Sequence, residues 1–545
     1  IGSAVNNVAL TATNSTTFTY SWSTSGVSAG SYTVTVTGTD LAGNTYAGSD
    51  SIEITLDSTA PTVTLSDTDD DNFLAASDTV TITAAFDEAM TSTPTISISG
   101  TSISNQVMTK IIGGSGSGPD SQLGADIDGE ALNDNSGYSV SLSSDGSRVA
   151  IGASGNDGNG TLSGHVRIYD YNGSAWVQVG DDIDGEAPYD YSGWSVSLSS
   201  DGSRVAIGAY GNDGAQYSNK TDSGHVRIYE YSSGSWNQLG ADIDGEALND
   251  NSGYSVSLSS DGSRVAIGAS GNDANGTNSG HVRIFQYYLQ YDQWIRVGNI
   301  PGEAANDMSG SSVSLSSDGS RVAIGASGND ANGTNSGHVR VYQYSSGVTW
   351  NQVGDDIDGE AANDTSGYSV SISSDGSRVA IGAPSNSGNG VYSGHVRVYE
   401  YSSGSWTQVG ADIDGNTAPD YNYSGRSVSI SSDGSRVAIG AFGNIPNGTL
   451  TGQTRVYEYS SGSWTQVGVD IDGEAENDRS GHSVSLSSDG SRVAIGAYEN
   501  DGNGTGSGHV RVYTLSSGET YQYAWDVDSG GAPSDGTYRA TVAGA

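Results

Sequence analysis

Closely spaced carboxylates recur along the chain in a pattern suited to holding a cation. The segment Asp126-Ile127-Asp128-Gly129-Glu130, followed by Asp134, places four acidic side chains around a glycine turn. Oxygen ligands of this kind bind hard cations, and one interpretation makes these four residues ligands of Ca²⁺. In the other, the carboxylates accept hydrogen bonds from backbone amides and hold the turn without a metal. Related segments begin at Asp182, Asp242, Asp356 and Asp470.

A second acidic cluster lies closer to the N-terminus and contains Asp67, Asp69 and Asp71. Carboxylates this close together repel one another unless a cation or water screens them. The cluster is therefore either a second Ca²⁺ site, which would stiffen a junction between domains, or a solvated acidic loop.

Histidine recurs at a single position in all but one of the repeats, and Gln453 replaces it in the remaining one. A catalytic or ligating histidine is needed once or in a converging cluster, so we interpret these residues as hydrogen-bonding partners within each repeat. No nucleophile with a partnered base, phosphate-binding glycine loop or zinc-ligand spacing stands out, and we predict that the protein is not an enzyme. The repeated histidines are His165, His225, His281, His338, His395 and His509.

A different set of residues differs from those at the equivalent positions of the other repeats. Exposed aromatic and cationic side chains among Asn, Asp and Gly suit stacking on sugar rings or gripping a protein loop. Sequence drift in unconstrained loops is the alternative explanation. The predicted ligand-binding residues are Tyr191, Trp194, Tyr210, Tyr217, Tyr423, Arg426 and Phe442.

The framework that must position these residues is a tandem repeat. The segment SVSLSSDGSRVAIGA at residues 139–153 returns six more times in closely similar form, and the Arg at its centre recurs every 56 to 60 residues. Each period contains four short alternating runs: residues 139–143, 148–153, 165–171 and 176–180. Four antiparallel strands per period are typical of a propeller blade, and seven periods predict seven blades.

The ends of the repeat array predict that the ring closes. Six copies of the fourth run contain a Trp, whereas the seventh period stops after Tyr513 without one. The missing piece is found before the first period, where residues 122–127 match 238–243. We therefore expect an N-terminal strand to complete the last blade and to remove the exposed edges of an open array.

These repeats resemble the FG-GAP repeats of integrin α-chain propellers and of many bacterial surface proteins. The resemblance rests on the alternation of Gly-Tyr/Trp-Ser-Val-Ser-Leu, Ile-Gly-Ala and Ser-Gly-His-Val-Arg-Ile-Tyr, and it covers roughly residues 120–515. It implies a seven-bladed β-propeller in an extracellular protein. Integrin-type blades carry a calcium loop between the first two strands, but here that hairpin is shortened to Ser-Ser-Asp-Gly-Ser, which argues against calcium at this location.

The flanking segments resemble the tandem Ig-like domains of bacterial adhesins. Residues 1–58 form a partial domain by this comparison, and residues 59–110 together with 519–545 form a second one, because Phe18–Trp22 has a counterpart at Tyr521–Trp525. The propeller, residues 111–518, would be inserted into the second domain. An all-β chain of this kind is expected to continue into neighbouring Ig-like domains, or into copies of itself, as a linear array.

Charge and composition limit the partners. The net charge of -43, from 63 acidic and 20 basic residues, repels nucleic acid and anionic membrane surfaces. There is no cysteine, and apolar runs such as residues 149–151 are too short to span a bilayer. We expect an extracellular, adhesin-like surface or filament protein of bacterial type, whose propeller head binds a glycan or a cell-surface protein. The alternatives are a secreted carbohydrate-active enzyme and a purely structural filament subunit.

Overall fold

The structure is a computed structural model. It describes residues 121–515, apart from 215–220, 348, 417–420 and 446–449, together with the backbone of short strands in the flanking segments. Over this part of the chain every regular element is a β-strand, and no helix there is long and apolar enough to cross a membrane.

Seven antiparallel sheets, one for each sequence period, form a seven-bladed propeller. The innermost strands are Ser136–Leu142, Ser195–Leu198, Ser252–Leu258, Ser309–Leu315, Ser369–Ile372, Ser427–Ile430 and Ser483–Leu486. The second strands are Arg148–Ala153, Arg204–Ala209, Arg264–Ala269, Arg321–Ala326, Arg378–Ala383, Arg436–Ala441 and Arg492–Ala497. The third strands are His165–Tyr171, His225–Ser232, His281–Tyr288, His338–Ser346, His395–Ser402, Gln453–Ser460 and His509–Thr514.

The outermost strands close six of the sheets. They are Trp176–Gln178, Ser235–Gln238, Gln293–Pro301, Thr349–Gln352, Ser405–Gln408 and Ser463–Asp472. In four blades a two-residue strand follows and also pairs with the third strand: Ile183–Asp184, Ile243–Asp244, Ile357–Asp358 and Ile413–Asp414.

The N-terminal segment completes the seventh blade, as predicted. Ser121–Gln122 pairs with Tyr513–Thr514, and Ile127–Asp128 pairs with His509–Val510. The side chain of Ile127 is only 5% exposed, because it packs in the core beside the first blade. The ring is thus closed by strands from the two ends of the repeat array.

The local sequence explains the blade. Alternation in Ser-Val-Ser-Leu buries Val140 and Leu142, while the turn at Asp145-Gly146 gives Gly146 a positive φ of 65°. The second strand is buried throughout its centre, with Val149 0% exposed. The two short turns of each blade lie on one face of the ring, and the two long connections lie on the opposite face, which we call the long-loop face.

The core lies between blades and not within any one of them. Ala150, Val166 and Ile168 of the first blade share a buried cluster with Leu198 and Ile207 of the second. A Trp in six blades also reaches backwards: the Trp176 indole N–H donates to the carbonyl of Leu123 at 2.7 Å. The repeated Trp therefore joins adjacent blades.

Three rings of hydrogen bonds run around the central channel through the serines of the innermost strands. In the first, each Ser amide donates to a Ser carbonyl of the next blade, and Ser488 donates to Ser144 at 2.8 Å to complete the ring. In the second, Leu198 N–H donates to Ser141 Oγ at 3.0 Å, and the pattern repeats in all seven blades. In the third, Ser139 Oγ donates to the Gly193 carbonyl at 2.8 Å, with an equivalent bond from each blade. The repeated serines thus link blade to blade.

The flanking segments form separate small sheets. The chain divides into two compact units, Ile1–Val63 and Thr64–Ala545. The first unit contains the strands Thr11–Ala12, Phe18–Thr19, Gly30–Thr35, Gly38–Thr39, Thr45–Tyr46 and Ser51–Leu56. The strand Val63–Asp67 crosses the boundary between the units. Outside the propeller, the second unit also contains Thr79–Phe86, Thr95–Ile98, Gln106–Val107, Thr109–Lys110, Thr520–Asp526 and Ala540–Ala543.

Strands from the two sides of the propeller pair with each other. Thr520–Asp526 pairs with Thr79–Phe86, and Ala540–Ala543 pairs with Thr95–Ile98. An interrupted domain requires such pairing. The Ig-like identity of these sheets stays a prediction, since most of the residues that carry it lie outside the described part of the chain.

Candidate functional site

One residue from each blade stands at the channel entrance on the long-loop face. It follows the Gly that precedes the Ser-Val-Ser run of the innermost strand, so the seven copies surround the central axis. We call this set the mouth ring. Its members are Tyr138, Trp194, Tyr254, Ser311, Tyr368, Arg426 and His482.

Six of the seven members form an unbroken series in which each side chain contacts its neighbour in the ring. The Tyr138 ring lies 4.3 Å from that of Trp194 and 4.6 Å from that of His482, measured between centroids. Trp194 in turn contacts Tyr254 at 5.7 Å. On the other side, Arg426 places its guanidinium 4.5 Å from the Tyr368 ring centroid. Ser311 is the small residue that interrupts the ring.

A second layer of rings supports the mouth ring from the ends of the second strands. Tyr210 packs edge-on against Trp194 at 4.4 Å, and Tyr498 contacts His482 at 4.5 Å. Phe442 lies 6.1 Å from His482. Each of these residues directly follows the Ile-Gly-Ala run of its blade, where the strand reaches the long-loop face.

Loop tyrosines extend this arrangement outward on both sides. Tyr191 stacks on Tyr210 at 5.3 Å with the planes 17° apart. Tyr423 stacks on Phe442 at 5.3 Å, and Tyr392 stacks on Tyr423 at 5.7 Å. The result is one continuous surface, here called the aromatic band, made of Tyr191, Tyr210, Trp194, Tyr138, His482, Phe442, Tyr423 and Tyr392.

Arg426 and His482 form the polar centre of the band. The Arg426 Nη2 lies 2.8 Å from His482 Nε2, and His482 Nδ1 lies 3.2 Å from the Tyr138 carbonyl oxygen. A guanidinium can only donate, so Nε2 accepts and the ring proton is on Nδ1. Burial, with a further contribution from the Arg426 charge, places the pKa of His482 well below its ordinary value, and the imidazole is neutral.

The guanidinium of Arg426 remains the charged group at this position. Burial lowers its pKa and the nearby hydroxyls of Tyr138, Tyr254 and Tyr498 oppose that effect, but arginine stays protonated in proteins. Its Nε is buried without a hydrogen-bond partner. Among the described residues, no carboxylate lies within ion-pair distance of Arg426.

The tyrosine hydroxyls at the mouth are neutral hydrogen-bonding groups. Burial raises the pKa of Tyr210 to about 12 and is also the main cause of the rise to about 12 at Tyr498. The pKa of Tyr138 is raised above its ordinary value for the same reason. The mouth therefore offers aromatic faces, neutral hydroxyls and the guanidinium of Arg426. A second guanidinium, that of Arg479, lies 5.5 Å from the Phe442 ring and is paired with Glu499.

The four carboxylates predicted as one Ca²⁺ site are divided among three places. Asp134 is buried and accepts hydrogen bonds from the amides of Glu130 and Ala131, at 3.2 and 2.8 Å, as the turn interpretation expects. Glu130 instead faces Arg167, with 3.5 Å between Oε1 and Nη1. Asp126 and Asp128 lie beside His509. The blade turns these side chains in different directions, so the structure does not gather all four in one place, and Ca²⁺ binding by them stays a prediction.

A protein-family model described as "FG-GAP repeat" matches residues 183–229, 241–285, 301–342 and 469–513. The chain carries FG-GAP repeats. No curated protein matches it in sequence.

Solved structures similar to this FG-GAP propeller share little sequence with it. A protein named as a putative 6-phosphogluconolactonase from Bacteroides uniformis is 12% identical with a TM-score of 0.44, covering 70% of this chain and 98% of that one. An acylaminoacyl peptidase from Pyrococcus horikoshii is 11% identical with a TM-score of 0.37, covering 70% of this chain and 49% of that one. The β-propeller domain of the Trilobed protease from Pyrococcus furiosus is 12% identical with a TM-score of 0.36, covering 64% and 86%.

The FG-GAP propeller brings most of the predicted ligand-binding residues together. Tyr191, Trp194, Tyr210, Tyr423 and Phe442 all belong to the aromatic band, and Arg426 bonds to its His482. Tyr217 lies outside the described residues, as do Asp69 and Asp71. Asp67 ends a described strand, but its side chain is not described.

Sequence reasoning missed the residues that join the two halves of the band. Tyr138 and His482 bridge Trp194 on one side and Phe442 on the other. Tyr138 does not stand out in the sequence, because Tyr also occupies this position at Tyr254 and Tyr368 and is therefore part of the repeated strand pattern. The repeat position itself could have identified them. Trp194 and Arg426, both predicted, occupy the same position of the repeat as Tyr138 and His482, and aligning all seven copies at that position reveals the mouth ring.

Proposed function

We propose that the protein is a non-enzymatic, glycan-binding surface protein whose FG-GAP propeller binds its ligand at the mouth ring. The observation that carries this proposal is the aromatic band. Seven blades that are nearly identical elsewhere differ at the channel mouth, and there the differences supply rings in continuous contact.

Aromatic faces suit sugars because pyranose rings present flat C–H surfaces. Stacked aromatic side chains offer a large apolar area at low entropic cost, and the neutral hydroxyls of Tyr138, Tyr210 and Tyr498 supply hydrogen bonds at its border. Tyr191 and Tyr423 stack on the inner rings from opposite sides, so a chain of several sugar units can lie across the band.

Arg426 points to a ligand that carries a carboxylate. A charge taken out of water is costly unless it is paired, and the described residues offer Arg426 no acidic partner. A uronic or sialic acid unit would supply one. The net charge of -43 disfavours binding of polyanions. At physiological ionic strength, however, salt screens charges more than about 8 Å away, so the interaction of a single bound carboxylate is dominated by the nearby Arg426 guanidinium.

The bonding of His482 supports binding over catalysis. Its Nε2 accepts from Arg426 and its Nδ1 donates to the Tyr138 carbonyl, so neither nitrogen is available to move a proton of a substrate. The rival function, a secreted carbohydrate-active enzyme, would need a general base other than His482.

The wider context is part of the proposal. FG-GAP repeats are typical of extracellular proteins, and we place this propeller at a cell surface, mounted as a head on Ig-like domains. Repetition of such heads along a linear array would let individually weak sites hold firmly through their effective concentration.

An array of neutral and acidic polysaccharides tests this function. We expect the 545-residue protein to retain glycans that contain isolated acidic sugars and to leave their chain length unchanged on gel filtration. Shortened or unsaturated products would replace the binding function with an enzymatic one. Retention of cell-surface proteins after complete deglycosylation, with no glycan retained, would show that the ligand is a protein.

A further inference from the structure

Within the described part of the chain, five blades contain a cluster of one histidine and two carboxylates that is separate from the mouth ring. In each cluster the potential ligand atoms lie within 4.8 Å of one another. The histidine starts the third strand of its blade, and its partners come from the acidic connections. The clusters are Asp126, Asp128 and His509; Glu130, His165 and Asp182; Glu186, His225 and Asp242; Glu303, His338 and Asp356; and Glu360, His395 and Asp412.

The spacing within the clusters is too long for hydrogen bonds. His165 Nδ1 lies 3.8 Å from Asp182, and His395 Nδ1 lies 3.9 Å from Glu360 and 3.8 Å from Asp412. A tetrahedral zinc ion at about 2.0–2.1 Å from each ligand separates its ligand atoms by about 3.4 Å. The half-exposed carboxylates need only small rotations to reach that separation.

His338 shows the need for a partner most clearly. Its side chain is 1% exposed, and both ring nitrogens are buried without a hydrogen bond. Nδ1 points into the cluster, 3.7 Å from the nearer Asp356 oxygen. A buried polar atom without a partner costs free energy, which a bound cation would recover.

The blade that lacks the histidine replaces it with an internal donor. In the sixth blade Gln453 stands at this position, and its amide nitrogen donates to Asp470 at 2.8 Å and to Asp472 at 2.9 Å. The carboxylates there are bridged by a protein N–H group, as they would be by a metal in the other blades.

The third blade lacks one of the two carboxylates, and its remaining carboxylate is paired with an arginine of the protein. In the third blade the connection reads Asn299-Ile300-Pro301, without the first Asp of the other copies. The guanidinium of Arg296 binds Glu246 at 2.6 Å, and among the described residues His281 belongs to no three-ligand cluster. In both exceptions an N–H group of the protein thus bonds the carboxylates.

We propose that the five histidine clusters bind divalent transition-metal ions, with Zn²⁺ as the best-fitting ion. An imidazole nitrogen with two carboxylates suits zinc and its neighbours, whereas Ca²⁺ and Mg²⁺ prefer oxygen ligands alone. One position of the tetrahedron stays open to water. In the clusters at Glu186 and Glu360, one carboxylate oxygen is held by an arginine of the next blade while the other faces the histidine.

One of these ions would join the two ends of the propeller. Asp126 and Asp128 belong to the N-terminal segment that completes the seventh blade, while His509 belongs to the last third strand. A metal bound there links the two ends of the ring and opposes its opening.

Metal stoichiometry measured by mass spectrometry tests the proposal. The full chain, stripped with a chelator and dialysed against micromolar Zn²⁺ in excess Mg²⁺ and Ca²⁺, should retain about five zinc ions, one for each cluster. His338→Gln, which installs the residue that the sixth blade already tolerates, should lose one ion. Gln453→His should gain one beside Asp470 and Asp472. His281→Gln is the matched control and should leave the number unchanged.

Two readouts keep the result independent of any misfolding. Circular dichroism checks that each variant keeps its β-sheet content, and the melting temperature of the wild type should rise with Zn²⁺ but not with equimolar Mg²⁺. The proposal is overturned if less than one zinc ion per chain is retained, or if His338→Gln and Gln453→His both bind as much zinc as the wild type. This proposal does not depend on the glycan-binding function, which involves the mouth ring and the aromatic band and none of the cluster residues.

Discussion

Arg426 of the sixth blade donates a hydrogen bond of 2.8 Å to Nε2 of His482 in the seventh. This contact fixes two properties of the channel mouth at once. It holds the guanidinium 4.5 Å from the face of Tyr368, and it keeps His482 as the neutral Nδ1–H tautomer against the Tyr138 carbonyl. A bond between two variable residues thus sets the geometry of the site, on top of a framework in which nearly everything else repeats.

Substitutions of His482, which accepts the hydrogen bond from Arg426, should destabilise the propeller more when they remove the acceptor than when they replace it with another acceptor. In His482→Ala the buried guanidinium of Arg426 loses its hydrogen-bond partner, and we expect the free energy of unfolding to fall by about 1–3 kcal/mol. His482→Gln can still accept through its amide oxygen and should lose less. Urea unfolding followed by circular dichroism compares the two; equal stability of His482→Ala and the wild type would contradict the assigned bond.

The depressed pKa of His482 makes a second prediction, for acid stability. The unfolded chain protonates this histidine near its ordinary pKa of 6.5, whereas the folded protein does not until far lower pH. The unfolded state therefore binds more protons, so stability is present above pH 6.5 and is lost as the pH falls below it. Between pH 6 and 5 the wild type should lose about 1 kcal/mol more than His482→Gln. Parallel pH profiles for the two proteins would refute this account of the imidazole.

The hydrogen bonds that join the serines of adjacent blades predict a cost for a single missing hydroxyl. Ser257 Oγ accepts from the Leu315 amide of the next blade at 2.9 Å. In Ser257→Ala that buried amide has no acceptor, and we expect a loss of about 1–2 kcal/mol in the free energy of unfolding. Ser235→Ala, at the exposed first residue of an outermost strand in the second blade, is the matched control and should stay within about 0.5 kcal/mol of the wild type.

Closure of the ring predicts the effect of a deletion. Loss of residues 119–128 removes the strands that pair with Tyr513–Thr514 and His509–Val510, and it takes away the carbonyl of Leu123 that Trp176 binds. We expect a lower melting temperature and new protease cleavage in the seventh blade. A synthetic peptide of residues 119–128, added in trans, should restore part of both. A deletion variant as stable as the full chain would show that the ring does not depend on this segment.

Repetition decided what the sequence could predict. The bounds of Arg148–Ala153 and His165–Tyr171 match the predicted runs, because seven copies reveal the alternation and the turns of every blade. The closing strand was also predictable, since the Trp missing after Tyr513 defines what the N-terminal segment must replace.

The site was only half predictable for the same reason. Singular residues such as Trp194 and Phe442 stand out from the repeats, but Tyr138 has counterparts in two other blades and gains its role only by lying between Trp194 and His482. The metal clusters show a similar limit. Glu130 and His165 are 35 positions apart in sequence, and only the packing of one blade on the next brings them together.

Calorimetric titration with an oligosaccharide that contains one carboxylate-bearing sugar tests the central claim most directly. Trp194→Ala should weaken binding roughly tenfold through lost stacking, and Arg426→Gln should remove the preference over the neutral analogue. Tyr291→Ala is the control, since this tyrosine is 59% exposed in a short turn on the opposite face. Wild-type affinity in both Trp194→Ala and Arg426→Gln, or equal weakening in Tyr291→Ala, would contradict a binding site at the mouth ring.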